Sequence, residues 1–125
     1  MTHGEARRMR QRLQEALRES LRSRDQHAAA ALRSALGAID NAEAVSGGQV
    51  SETGNRDVAK ARLGVGVAEV NRRELSPMEL AAILRNEVDE RLAAAAEYER
   101  LGRLEQAARL RSEAAALQPY LTGAA

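Results

Sequence analysis

Residues 76–121, SPMELAAILRNEVDERLAAAAEYERLGRLEQAARLRSEAAALQPYL, decide the fold. Ser76, Pro77 and Glu79 mark a helix start. A serine hydroxyl can cap the first free backbone N–H groups, proline fits the first helical position, and a glutamate three residues on can reach back to the cap N–H. From there Leu80, Ile83, Leu84, Val88, Arg91, Leu92, Ala95 and Tyr98 return to one face as far as Leu101, which predicts a helix over about 76–101. At about 1.5 Å per residue it is roughly 35–40 Å long. Gly102 supplies a left-handed terminator. A second helix over 104–121 carries Leu104, Ala107, Ala108, Leu110, Ala114, Leu117 and Leu121 on its apolar side. So short a link makes the pair antiparallel. Pro119 is expected to kink or stop the second helix, and 122–125 to form a frayed tail.

Toward the N-terminus the pattern changes. Residues 46–75 scatter Gly47, Gly48, Gly54, Gly64 and Gly66 among polar side chains without a sustained helical period, which predicts a long Gly-rich loop. Within it, Arg56 to Leu63 has the makings of one or two helical turns, and Val65, Val67 and Val70 those of a short extended stretch. Before the loop, Met9, Leu13, Ala16, Leu17 and Leu21 form the stripe of a helix over about 5–24. Ala28, Ala31, Leu32, Ala35, Leu36 and Ile39 form that of another over about 25–45, with Asp25 as its cap. The tight link at Asp25 implies a second antiparallel pair or a sharp kink. The expected fold is therefore all-α, two antiparallel helical hairpins forming a small four-helix bundle-like domain over 1–121.

Composition agrees with one helical core and excludes several chemistries. The 125 residues include two tyrosines and neither Phe nor Trp, so an aromatic β-sandwich core and a row of base-stacking rings are both ruled out. Cysteine is absent, which removes disulfides, thiolate metal sites and thiol nucleophiles. Lys and Arg total 19 against 18 Asp and Glu, so the whole molecule exerts little pull on an anionic partner. No apolar run approaches the roughly 18–20 residues of a membrane span, and the arginines near the start lead into an amphipathic pattern, so a soluble, cytoplasmic protein without membrane contact is expected.

Catalytic and metal readings find little to stand on. His3 and His27 are the only imidazoles, and neither sits at helical metal-ligand spacing from another. Glu87, Asp89, Glu90, Glu97 and Glu99 resemble a carboxylate cluster, yet Arg85, Arg91 and Arg100 interleave with them as helix-face ion pairs. Gly64, Val65 and Gly66 lack the remainder of a phosphate-binding loop. No catalytic residue, metal or cofactor is expected. The basic start of the first helix is a different matter. Arg7, Arg8, Arg10 and Arg12 could neutralise phosphates without reading bases. The competing reading is a solvated face in an arginine-biased sequence, since Lys60 is the single lysine.

Three stretches followed by a fourth carry a family resemblance. They are Leu32–Arg33 with Ala38 to Glu43, Leu75–Ser76 with the capped helix, Glu87 to Leu92, and Tyr98 to Arg103 continued by Ala107, Leu110, Glu113, Leu117, Tyr120 and Leu121. Together they resemble the helical core of YqeY-like proteins, the GatB/YqeY family. That family is similar to the tail of the B subunit of the tRNA-dependent amidotransferase. The resemblance spans most of 10–121 apart from the loop and implies contact with tRNA, or with an amidotransferase or synthetase that handles it. It adds Arg33 and Asn41 to the candidate nucleic-acid-binding residues. Family members continue through a Leu-Pro turn into a further small helical domain, whereas this sequence stops four residues after Leu121. The long glycine-rich segment is similar to that of actinobacterial, hence bacterial, members.

The expected function is a non-catalytic helical binding or adaptor module contacting tRNA or a tRNA-charging enzyme. One alternative is a protein-interaction or self-associating module without nucleic acid. Another is an accessory role in which a carbon–nitrogen ligase label would come from family membership alone.

Overall fold

A computed structural model describes residues 2–47 and 74–122, and every regular element among them is an α-helix. These are α1 (Thr2–Arg22), α2 (Gln26–Gly47), α3 (Pro77–Arg100) and α4 (Leu104–Leu121). The capping box forms as read. Glu79 N–H donates to Ser76 Oγ at 3.1 Å, and Ser76 N–H donates to the Glu79 carboxylate at 2.8 Å.

Both short turns use one device. After α1, Arg24 takes a φ of 61°, Arg24 N–H donates to Leu21 O, and Asp25 N–H donates to Ser20 O at 2.8 Å. After α3, Gly102 takes a φ of 77°, Gly102 N–H donates to Glu99 O, and Arg103 N–H donates to Tyr98 O at 2.8 Å. A left-handed residue with this hydrogen-bond pair satisfies the last carbonyls of a helix and turns the chain back. Asp25 then caps α2, its Oδ1 accepting from Ala28 N–H at 3.1 Å. The result is two antiparallel hairpins, α1–α2 and α3–α4.

The hairpins pack into a four-helix bundle. α3 and α4 share the most extensive contact, α4 also lies along α2, and α3 reaches both α2 and α1. Glu5, Ala6 and Met9 of α1 adjoin Pro77, Leu80 and Leu84 of α3 and Tyr120 of α4. α1 and α3 therefore start at one end of the bundle, and both turns lie at the other. Leu13, Ile39, Leu84, Val88 and Leu117 are fully buried, and Ala31, Leu32, Ala35, Leu75, Leu80 and Ala114 complete a contiguous core with them. Each large aliphatic side chain so buried contributes about 1.5–3 kcal/mol. The alanines of α2 admit a neighbouring helix closely at the expense of apolar area.

Several boundaries and faces differ from the sequence reading. α1 begins at Thr2, ahead of Glu5, and stops at Arg22 because Arg24 is left-handed. α2 runs through Ser46 to Gly47. A glycine disfavours a helix by only about 1 kcal/mol and does not by itself end one. Pro119 lies inside α4, which continues to Leu121 and closes with Thr122 N–H donating to Gln118 O, so 122 belongs to the helix cap and not to a frayed tail. Leu21 and Leu104, assigned to apolar stripes, are 48% and 65% exposed, since both lie beside turns where no helix remains to cover them. The helical turns expected at 56–63, the extended stretch at 65–70, the 64–66 glycine pair and residues 123–125 lie outside the described residues, as does most of the expected loop.

Candidate nucleic-acid interface

The six candidate residues lie on α1 and α2, and the hairpin gives them different surroundings. Along α1 the direction of the core is set by Ala6, Leu13 and Ser20, all buried. Arg10 lies at the edge of that stripe, and its side chain is 22% exposed. Its Nη1 donates to Asp40 Oδ1 on α2 at 2.7 Å, and its Nη2 pairs with Glu43, itself buried. Burial alone would lower the Arg10 pKa. The hydrogen bonds and negative charges of Asp40 and Glu43 outweigh it and raise the pKa above its ordinary value. Arg10 is thus a cross-hairpin tie.

Arg7 and Arg12 are also engaged. Arg7 pairs with Glu74, just before α3, and keeps much of its side chain in solvent. The Arg12 guanidinium carbon lies 5.0 Å from the centroid of the Tyr120 ring on α4, within cation–π range. Arg8 is exposed and makes no ion pair among the described residues. Arg33 and Asn41 are both exposed on the outer surface of α2, about 12 Å apart along its axis at 1.5 Å per residue. The six residues therefore do not form one uniform patch. Among the described residues, Arg8 and Arg33 face solvent without ion-pair partners, Asn41 is exposed, Arg7 is paired at the surface, and Arg10 and Arg12 are drawn into helix–helix contacts.

The carboxylates of α3 do more than form the helix-face ion pairs expected of them. Ser34 Oγ on α2 donates to Glu87 Oε1 at 2.7 Å, and Arg91 Nη1 donates to the same oxygen at 2.9 Å. Arg91 Nε donates across to Glu113 on α4 at 2.9 Å. The side chains of Glu87, Arg91 and Glu113 are each only 12–13% exposed, so this is a half-buried layer joining three helices. Toward the turn, Arg111 grips Glu99 through both terminal guanidinium nitrogens, Nη1 at 3.0 Å and Nη2 at 3.1 Å. Arg100 pairs with Glu97 in the exposed manner expected.

His27 lines an open groove of about 460 Å³ between the start of α2 and α4, with Glu105, Gln106, Ala108, Arg109 and Ser112. An imidazole, a carboxylate and a hydroxyl thus meet across 85 residues of sequence. No hydrogen bond joins them among the described residues. Among the described residues, no group of three His, Cys, Asp or Glu side chains is placed to hold a metal ion. No described helix is long and apolar enough to cross a membrane. Neither a family model, nor a curated protein, nor a solved structure matches the chain.

Proposed function

We propose that this chain is a non-catalytic helical binding module whose partner is tRNA or an enzyme that charges or amidates tRNA, acting in the cytoplasm. One observation supports the reading best: Arg10, at the edge of the core, and Arg91, in a half-buried layer, are each held between carboxylates of the fold, while Arg8 and Arg33 project outward with no ion pair among the described residues. Polar chemistry inside serves the fold, and polar chemistry outside is available to a partner. The exposed Asn41 amide adds a donor and an acceptor suited to a phosphate or a ribose hydroxyl. Such contacts read charge and shape, not bases. The GatB/YqeY resemblance supplies the choice of tRNA among polyanions. The test is filter binding of tRNA at low and high salt, with wild type set against Arg8→Gln and Arg33→Gln.

A second reading rests on a separate observation. Leu101 and Leu104, on either side of Gly102, are 60% and 65% exposed, and apolar side chains at a hairpin tip suit a protein partner or a second copy. Light scattering across micromolar concentrations tests the self-associating form.

A further inference from the structure

The bundle is tied unevenly along its length. Ala29 on α2, Ala95 on α3 and Ala107 on α4 are buried, yet none belongs to the contiguous core that contains Leu13, Ile39, Leu84 and Leu117. They lie toward the end with the turns, where small side chains give each helix little apolar area to hold another. At this same end the groove beside His27 and Arg109 already admits solvent between α2 and α4.

The side-chain ties between the hairpins are placed elsewhere. Among the described residues they are Ser34 to Glu87, Arg7 to Glu74 and Arg12 over Tyr120, and none reaches the first turn of α2. Within the second hairpin the ties do extend to the tip, through Arg91–Glu113 and then Arg111–Glu99. The tip of α3–α4 is therefore bound to itself more firmly than to α2.

We propose that the tip of the α3–α4 hairpin parts from the first turn of α2 as a unit in the native protein, pivoting near the Glu87–Arg91–Glu113 layer while the Leu-lined end stays closed. Opening exposes the Ala29 and Ala107 surfaces and widens the groove lined by His27, Gln106 and Arg109, next to the exposed Leu101 and Leu104. Local opening of this kind follows from sparse apolar contact and few cross-ties. It does not depend on tRNA being the partner.

Because the chain has no cysteine, a single introduced thiol reports on one place. Ala29→Cys and Ala107→Cys probe the seam, and Ala35→Cys and Ala114→Cys probe the core. All four positions are at most 3% exposed, so the closed structure alone gives them equal protection. Thiol labelling with a disulfide reagent is measured in the absence of denaturant and compared with each variant's own global unfolding rate. The expected result is that the thiols at 29 and 107 react more than about tenfold faster than global unfolding allows, while those at 35 and 114 follow it. Labelling at 29 and 107 that stays within that tenfold limit overturns the proposal. Two probes at each place keep the comparison intact when one variant fails to fold.

Discussion

Arg91 and Glu113 stand eleven residues either side of Gly102 and meet at 2.9 Å. Arg10 and Asp40 stand fifteen residues either side of Asp25 and meet at 2.7 Å. In an antiparallel hairpin, residues equidistant from the turn share a level, so each turn determines which charges face each other. Removing Arg91 leaves Glu87 and Glu113 half-buried and uncompensated. Arg91→Ala is expected to destabilise the bundle by about 2–3 kcal/mol in urea unfolding. Arg91→Met combined with Glu87→Gln and Glu113→Gln is expected to lose less, since no unpaired charge remains inside.

Arg10 and Arg8 should separate stability from binding. Arg10→Gln is expected to cost about 1–2 kcal/mol by loss of the charge-assisted bonds to Asp40 and Glu43. Arg8→Gln should stay within about 0.5 kcal/mol of wild type, as exposed unpaired positions do. The raised Arg10 pKa gives the sign of the pH effect. Its stabilising contribution is complete below the unfolded-state pKa and is lost only as pH rises through the higher folded-state value. The stability gap between wild type and Arg10→Gln should thus be constant from neutral pH to about pH 10, as read from urea midpoints.

The two turns make a matched pair for testing the left-handed position. Arg24→Gly should stabilise by about 0.5–1 kcal/mol, because glycine adopts the observed φ of 61° without a Cβ penalty. Gly102→Ala should destabilise by about 1 kcal/mol at a φ of 77°, although a Cβ there meets no atom within 4 Å. Thermal midpoints of the two variants should move in opposite directions.

Caps offer a third contrast. Ser76→Ala is expected to cost about 1 kcal/mol by removing the hydroxyl that accepts from Glu79 N–H. Arg103 is the cap residue of α4 and makes no side-chain cap hydrogen bond. Arg103→Asp should stabilise by about 0.5–1 kcal/mol through that missing bond and the helix dipole. Calorimetry on the two variants checks both signs.

Among the described residues, the four helices, their hairpin pairing and most of the core were legible because leucine spacing and the Ser76–Glu79 box are local signals. Leu13, Ile39, Leu84, Val88 and Leu117 were all assigned to apolar faces and are all buried. Arg24 was not legible as a left-handed residue, because arginine carries no propensity for that region and only its hydrogen bonds reveal the role. The buried ends of the network were missed for a related reason. Glu87 and Arg91 look like an ordinary i,i+4 surface pair until Ser34 and Glu113 arrive from two other helices. The candidate interface was legible as a composition of arginines on α1, but which of them stay free depended on Asp40, Glu43, Glu74 and Tyr120. Counting residues outward from Asp25 would have found Asp40, which lies as far past the turn as Arg10 lies before it.

Arg10 and Arg91 are paired within the fold, and the proposed function leaves Arg8 and Arg33 to a polyanionic partner. Filter binding of tRNA at about 50 mM and about 200 mM salt tests it most directly. Wild type should bind at the lower salt and weaken at the higher. The double variant Arg8→Gln, Arg33→Gln should lose about tenfold in affinity with an unchanged urea midpoint. Absence of binding by wild type at the lower salt, or an affinity unaltered in the double variant, would rule out a polyanion-binding role for Arg8 and Arg33.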